Sequence, residues 1–290
     1  MSTRSILIHA GFYKTGTTSL QAQLARVQQD LSPYFHYFDP NNLRDTGALA
    51  REFGRHLTED SRRAFRRGFG RFVTDLPEDG NIVISRENYA GIMPGHRGLD
   101  GEILTDINPA ARMLARDIRA GLERRFGNDM DLQFLYSVRD RDSWLRSVHG
   151  HQLRSTHLRD DLMRFSDLFP ANFDLRKAAE KIAKALAPTP VHIHALEDYA
   201  DHRQGPAAMI LDLMGVPADV VASLPPAEPK NTGQSEDLRR VFLQLNRKGL
   251  SRDALKAQKA ALLGQRAHIC CRWNACRACS SLGRRFMRRA

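Results

Sequence analysis

The sequence predicts an α/β protein in which a central parallel sheet is flanked by helices, giving a three-layer α/β/α fold. Short apolar segments of strand length alternate along the chain with longer segments of helical period. The 290 residues, 42% of them hydrophobic, are enough for one substantial core. Because parallel strands need crossover connections, which are usually helices, this alternation favours a parallel sheet.

The first half of the chain contains two predicted strands. Residues 5–10 form an apolar run that predicts the first strand, and residues 17–29 have the period of a helix. Residues 43–76 alternate arginine with apolar positions and are predicted to be helical up to a turn at residues 77–80. The second strand is predicted over residues 81–85.

The second half repeats the pattern. Predicted helices cover residues 109–126, 142–158, 174–186 and 206–214, and predicted strands cover residues 132–138 and 190–194. In open parallel sheets ligands bind beyond the carboxyl ends of the strands. Gly11, the turn after Ser85 and Arg139 all follow predicted strand ends, so we expect them to face one crevice.

The loop after the first strand is a candidate anion site. In Ala10-Gly-Phe-Tyr-Lys-Thr-Gly-Thr-Thr18, successive backbone N–H groups can surround phosphate or sulfate oxygens, and the following helix N-terminus adds about half a positive charge. Lys14 supplies a full charge, while Gly11 and Gly16 allow close backbone approach. The loop departs from the nucleoside-triphosphatase pattern GxxxxGK[ST], because Lys14 precedes Gly16 by two residues and no Gly-Lys-Ser/Thr triplet follows. We therefore predict a ligand handled without a metal ion.

This loop resembles the 5′-phosphosulfate loop of sulfotransferases, which use 3′-phosphoadenosine-5′-phosphosulfate (PAPS). A second segment, Phe134-Leu-Tyr-Ser-Val-Arg-Asp-Arg-Asp-Ser-Trp-Leu-Arg-Ser147, is similar to the family element in which a strand-end arginine and a serine eight residues later hold the 3′-phosphate. Arg139 and Ser147 occupy those places. The resemblance covers roughly residues 5–235 and implies a P-loop nucleotide-binding type of fold. Arg141 departs from the family pattern, since relatives often have proline there.

The resemblance implies a role for each motif residue. Lys14 would neutralise the bridging oxygen of the leaving phosphate, and the hydroxyls of Thr17 and Thr18 would contact the 5′-phosphate. Capping of the following helix is a compatible role for these threonines. The implied cofactor-binding set is Gly11, Tyr13, Lys14, Thr15, Gly16, Thr17, Thr18, Arg139 and Ser147.

The acceptor must lose a proton, and Glu87 is the candidate base. It follows the second predicted strand, where relatives place a catalytic histidine or glutamate; a simple ion pair with an arginine is the alternative. His149 and His151 are alternative bases, whereas His9 lies within a strand and is interpreted as a core residue.

The predicted activity is transfer of a sulfuryl group from PAPS to a hydroxyl of a carbohydrate or glycolipid acceptor, with adenosine 3′,5′-bisphosphate as product. The alternatives are a P-loop small-molecule kinase and a non-catalytic anion-binding or membrane-binding protein. Neither the acceptor's identity nor an oligomeric state follows from the sequence.

The positive charge is concentrated at the C-terminus. After Asp253 there is no acid, and nine lysines and arginines account for most of the net charge of +11. Subtracting those nine leaves about +2 for residues 1–253, so we expect no nucleic-acid binding by the core. We predict a catalytic domain over residues 1–250 and a basic tail over 251–290, which holds all four cysteines between Cys270 and Cys279. For the tail, a zinc site, a membrane-surface helix, an anion-binding arm and a solvated segment are alternatives.

The predicted location is the cytoplasm, with peripheral contact at the inner face of a membrane as a role for the tail. No apolar run of about 18 residues occurs, and Met1-Ser-Thr-Arg4 leads directly into the first strand, so neither a membrane span nor a secretory signal is expected. Pro229–Ser235 resembles the segment that closes over the cofactor in relatives, with Lys230 or Asn231 near its phosphates; a loop with a helix cap at Ser235 is the alternative.

Overall fold

The computed structural model describes residues 4–127, 130–228 and 234–263. Within these residues one all-parallel sheet has five strands, with the order β2-β3-β1-β4-β5. The strands are β1 (Arg4–His9), β2 (His36–Phe38), β3 (Ile82–Ser85), β4 (Met130–Val138) and β5 (Val191–Ala195). Helices flank this sheet, so the predicted three-layer α/β/α fold is confirmed.

The described helices fall between and after the strands. They are α1 (Thr17–Arg26), α2 (Gln28–Leu31), α3 (Thr46–His56), α4 (Glu59–Thr74), α5 (Asn108–Phe126), α6 (Arg141–Ser155), α7 (Leu162–Asp167), α8 (Leu175–Leu186), α9 (Ala208–Leu213), α10 (Ala218–Ser223) and α11 (Glu236–Arg247). Residues 252–263 are also helical.

Strand β1 lies at the centre of the sheet and is apolar on both faces. Its Ile6 is paired with Ile82 of β3 and Leu132 of β4. Alternate residues of a strand point to opposite faces. Leu7 therefore joins the apolar cluster under α1 and α9, while α4, α5 and α8 pack together on the other side. Burial of both faces explains why these strands are continuous apolar runs.

The polypeptide divides into two compact units. In its described part, the first unit comprises residues 4–127, 130–148 and 162–228 and contains all five described strands. The second comprises residues 149–161 and 234–263, with a small core around Leu153 and Phe242. In that unit Lys259 donates from Nζ to the carbonyls of Leu153 and Thr156, at 2.6 and 2.7 Å. The predicted domain boundary at residue 250 stays a prediction.

Two local predictions differ from the structure, and a third is confirmed. Strand β2 was missed, because three residues are too few to show a period. The helical stretch predicted over residues 43–76 is two helices, separated where Leu57 adopts a left-handed conformation (φ 52°) and Thr58 caps α4 by accepting a hydrogen bond from the Ser61 N–H. The expected helix cap at Ser235 is confirmed, since its side chain accepts from Leu238 N–H at 3.4 Å, whereas the preceding residues 229–233 lie outside the described residues.

No helix in the described ranges is both long enough and apolar enough to cross a membrane.

Candidate functional site

The loop between β1 and α1 is bent by two left-handed residues. Lys14 has φ 67° and Gly16 has φ 87°. The left-handed conformation favours glycine at position 16, and a Cβ atom there, 2.5 Å from Leu196 Cδ1, would also force the Leu196 side chain to move. Helix α1 begins at Thr17, and the N–H groups of a first helical turn have no helical acceptor. The loop and helix start therefore present backbone donors of the kind that bind anions.

The carbonyl groups of this loop are held by the segment after β4. Trp144 Nε1–H donates to the Tyr13 carbonyl at 2.8 Å, and Arg139 Nη1 donates to the Lys14 carbonyl at 3.3 Å. In a trans peptide the C=O and the following N–H point in opposite directions. The N–H groups of Lys14 and Thr15 are therefore directed away from Trp144 and Arg139.

The three threonines of the loop face different surroundings. The Thr15 hydroxyl is buried and lies 2.5 Å from the Phe12 carbonyl and 2.8 Å from Ser137 Oγ. Thr17 is also buried, with Oγ1 3.5 Å from the same carbonyl, whereas Thr18 is exposed. Thr15 can thus offer a ligand its N–H but not its hydroxyl, and Thr18 has the most accessible hydroxyl of the three.

Arg139 and Ser147 lie along one side of the start of α6. Arg139 Nε donates to Ser143 Oγ at 3.0 Å, and Ser147 follows Ser143 by four residues, one turn further on the same helix face. Arg139 Nε also lies 3.9 Å from Glu197 Oε1, with which it forms an ion pair.

Asp140 has a different role from Arg139. Its Oδ1 accepts hydrogen bonds from the N–H groups of Asp142 and Ser143, at 3.1 and 3.0 Å. It therefore caps α6, and the helix begins at Arg141 without needing a proline there. Glu197 accepts from the Asp140 N–H at 3.3 Å, which supports the same turn.

Glu87 opens a short 3₁₀ helix, Glu87–Ala90, directly after β3. Gln21 of α1 reaches across and donates from Nε2 to Glu87 Oε2 at 3.2 Å, with Ser85 Oγ at 3.2 Å and the Ser85 carbonyl at 3.3 Å from the same nitrogen. Glu87 is also close to Tyr13: burial raises the pKa of the Tyr13 phenol, and the Glu87 carboxylate raises it further. The candidate base thus lies beside the loop.

A buried chain of hydrogen bonds runs under the loop from β3 to β4. His9 Nδ1 lies 2.8 Å from Ser85 Oγ, and its Nε2 lies 3.3 Å from Ser137 Oγ. Thr15 uses its single hydroxyl hydrogen on the Phe12 carbonyl, so it must accept from Ser137. Ser137 must then accept from His9 Nε2–H, and Nδ1 must accept from Ser85. Burial lowers the pKa of His9 to about 4, which agrees with this neutral form.

The core interpretation of His9 is therefore confirmed. It also accounts for Gly11, where a Cβ would lie 2.7 Å from His9 Nε2 and 2.8 Å from Ser137 Oγ. The glycine leaves room for the buried chain as well as for a ligand.

The two alternative bases lie in the second unit. His149 is buried, with Nε2 3.0 Å from the Asp160 carbonyl, and burial lowers its pKa. His151 has Nδ1 3.4 Å from Arg154 Nη2. Lys230, Asn231 and the Cys270–Cys279 segment lie outside the described residues. Within the described ranges there is no group of three or more histidine, cysteine, aspartate or glutamate side chains that could hold a metal ion.

Four further residues at this site are not predicted from the sequence: Gln21, Ser137, Ser143 and Trp144. A polar residue inside an apolar strand, as in Tyr136-Ser-Val138, is a signal that could have indicated Ser137. Gln21 follows Thr17 by one helical turn, so it lies on the side of α1 that continues from the loop.

The chain matches no model in a scan of protein families, and no curated protein matches it.

Proposed function

We propose that this protein is a PAPS-dependent sulfotransferase that forms a sulfate ester on a hydroxyl group. One observation carries the proposal. The two motifs implied by the resemblance are separated by 125 residues, yet Arg139 of the second donates a hydrogen bond to the Lys14 carbonyl of the first. A nucleotide with a phosphate at each end can therefore meet both motifs at once.

The residues present fit such a nucleotide. The loop offers the N–H groups of Lys14 and Thr15, the start of α1 and the Lys14 ammonium for the 5′-phosphosulfate. Arg139, with a side chain 28% exposed, and the Ser147 hydroxyl are the donors for the 3′-phosphate, while Ser143 holds the Arg139 side chain by accepting from its Nε. When bound, PAPS supplies an activated sulfuryl group on a phosphate leaving group.

Lys14 and Glu87 divide the chemistry. As the acceptor oxygen forms its bond to sulfur, the bond from sulfur to the bridging oxygen breaks, and Lys14 stabilises the negative charge that develops on the bridging oxygen. Glu87 takes the proton of the acceptor hydroxyl. Gln21 orients the Glu87 carboxylate by its hydrogen bond to Oε2. Adenosine 3′,5′-bisphosphate and the sulfate ester are the products.

Kinase activity is a weaker candidate. A P-loop kinase needs a serine or threonine hydroxyl beside the lysine to hold magnesium. The hydroxyl in that place belongs to Thr15, which is buried and bonded to the Phe12 carbonyl. A non-catalytic anion-binding protein would not need Glu87 tied to the loop helix by Gln21.

The proposal also covers the acceptor, the metal requirement and the cellular location of the protein. We propose a carbohydrate or glycolipid acceptor, no requirement for a metal ion and a cytoplasmic location. Contact of the basic C-terminal residues with an anionic membrane surface is part of the same proposal, and sedimentation of the full chain with anionic, but not neutral, lipid vesicles tests it.

The central test is a set of parallel incubations with an acceptor panel. With PAPS we expect products heavier by about 80 daltons, the mass of one sulfuryl group, and with ATP and magnesium we expect none. Calorimetry should show that adenosine 3′,5′-bisphosphate binds at least about tenfold more tightly than adenosine 5′-monophosphate, because Arg139 contributes a charge-assisted contact. Phosphorylated products, or no binding of the bisphosphate, would refute the proposal.

A further inference from the structure

Helix α3 packs against the segment that carries Glu87, and two glycines make the approach possible. A Cβ on Gly47 would meet the guanidinium of Arg86, and a Cβ on Gly54 would meet the backbone of Gly91 and Ile92. The Tyr13 hydroxyl donates to the Gly91 carbonyl at 3.2 Å, so the same segment also touches the anion-binding loop. Helix α3 thus borders the proposed reaction site.

Two arginines lie on the bordering side of α3. With about 100° between successive helical residues, Arg51 lies about 40° from Gly47 and about 60° from Gly54 around the helix axis, and Arg55 follows one turn later. Both arginines are exposed. Neither forms an ion pair with an acid of the described residues, and the neighbouring Glu52 is bonded to His56 at 2.6 Å.

Three arginines contribute positive charge near Tyr13 and His96, where α3 packs against the Glu87 segment. Burial raises the pKa of Tyr13, and the positive charges of Arg51 and Arg86 act in the opposite direction. Burial lowers the pKa of His96, and the charges of Arg55 and Arg51 lower it further. Arg86 has a buried Nε without a hydrogen-bond partner in the described structure. Arg51 and Arg86 thus act on Tyr13, Arg51 and Arg55 act on His96, and Arg51 is common to both.

We infer that the acceptor carries an anionic group, such as a carboxylate or a sulfate, close to the hydroxyl that is sulfated, and that Arg51 and Arg55 bind this group. The inference rests on the proposed function, because it is the position of Glu87 that makes this region the acceptor's place. Glu87 is hydrogen-bonded to Gln21 and Glu52 is paired with His56, so the charges of Arg51 and Arg55 are open to an anionic ligand. Guanidinium groups bind carboxylate and sulfate by paired hydrogen bonds.

Acceptors in matched pairs test the inference. Each pair consists of a uronate-containing oligosaccharide and its carboxyl-reduced form, or of 4-nitrophenyl glucuronide and 4-nitrophenyl glucoside. For the full chain with PAPS we expect kcat/KM to be at least about tenfold higher for the anionic member. In the double variant Arg51→Gln/Arg55→Gln this preference should fall towards one, mostly through KM. The matched control Arg63→Gln/Arg67→Gln changes the net charge equally on exposed positions of α4 and should keep the preference.

The outcomes separate this inference from the proposed function. Equal or better use of the neutral members, or the same preference in the α3 variant and in the wild type, overturns the inference while leaving the sulfotransferase proposal intact. So does an α3 variant that loses affinity for adenosine 3′,5′-bisphosphate, because the arginines would then hold the nucleotide. Failure of the wild type to bind that nucleotide refutes the proposed function itself.

Discussion

Lys14 occupies a position where residue type and backbone conformation both matter. Its left-handed φ of 67° turns the loop, and its ammonium is the group proposed to stabilise the leaving oxygen. We expect Lys14→Ala to lower kcat by roughly 100-fold or more, the scale of losing one donor to a developing negative charge. Steady-state assays with PAPS measure this, and thermal unfolding of the same variant controls for a damaged loop. Near-normal turnover would contradict the role of Lys14.

Arg139 has two tasks in the structure, because it holds the Lys14 carbonyl and faces the proposed 3′-phosphate site. We expect Arg139→Ala to weaken binding of adenosine 3′,5′-bisphosphate at least about tenfold more than binding of adenosine 5′-monophosphate, and also to lower kcat. Ser147→Ala is the matched comparison: it should weaken only the bisphosphate, by a smaller factor, with kcat unchanged. Calorimetry and kinetics on both variants test this, and an equal loss for the two nucleotides would exclude a 3′-phosphate contact.

Individual site residues differ in how far the sequence predicts them. Lys14 and Arg139 belong to contiguous motifs that follow strand ends, and such positions can be recognised from the sequence alone. The roles of Gln21 and Trp144 cannot be recognised in this way, since their hydrogen-bond partners Glu87 and Tyr13 are 66 and 131 residues away in the sequence. The strand register and the helix rotation that bring them together depend on packing of the whole core.

At the scale of elements, the close contact between α3 and residues 91–92 can be tested by the stability of glycine-to-alanine variants. In an exposed helix, replacing glycine by alanine stabilises by about 0.5–1 kcal/mol. Gly70→Ala in α4 should behave in this way, because nothing lies within 4 Å of its Cβ position. Gly54→Ala should instead destabilise by about 1–3 kcal/mol, since its Cβ would meet the backbone of Gly91 and Ile92. Urea unfolding of the two variants measures the contrast, and a stabilising Gly54→Ala would show that α3 is not in close contact.

The strands and helices that were predicted correctly are those long enough to show a regular pattern of apolar residues. Strands β1, β3, β4 and β5 and the long helix α5 were all expected near their observed positions. The break between α3 and α4 was missed, because the arginine-rich pattern continues through it and only Leu57 and Thr58 depart from helical geometry. Such a break is decided by two residues and the packing of Phe53 and Phe65 on either side, both of which are fully buried.

For the molecule as a whole, the buried histidine makes stability depend on pH. The folded-state pKa of His9, about 4, is below its ordinary value of 6.5, so the unfolded chain binds the proton more readily. The free energy of unfolding should therefore be unaffected by His9 above about pH 6.5 and should fall as the pH decreases towards 4, by about 3 kcal/mol in total.

Urea unfolding between pH 4 and 7 measures this dependence. In His9→Asn the corresponding part of the pH dependence should disappear, whereas His157→Asn, which removes an exposed histidine, should retain it. Parallel slopes for the wild type and His9→Asn would show that the fall in stability has another source.

The strand order could not be predicted from the alternation of strands and helices, which is compatible with several orders. In the structure the chain proceeds from β1 to β2 and β3 on one side and then crosses to β4 on the other. Ligands bind at such a change of direction in open parallel sheets. Gly11, the turn after Ser85 and Arg139 follow the ends of three adjacent strands, because β1 lies between β3 and β4, and that they face one crevice stays a prediction.

The two hydrogen bonds from Trp144 and Arg139 to the loop carbonyls have a kinetic consequence. They form when β4 and α6 fold against β1, before any nucleotide binds. The loop between β1 and α1 is therefore preorganised for binding an anion. Little conformational entropy is then left to be lost on binding, and association should be governed by diffusion and charge attraction rather than by a slow rearrangement of the loop.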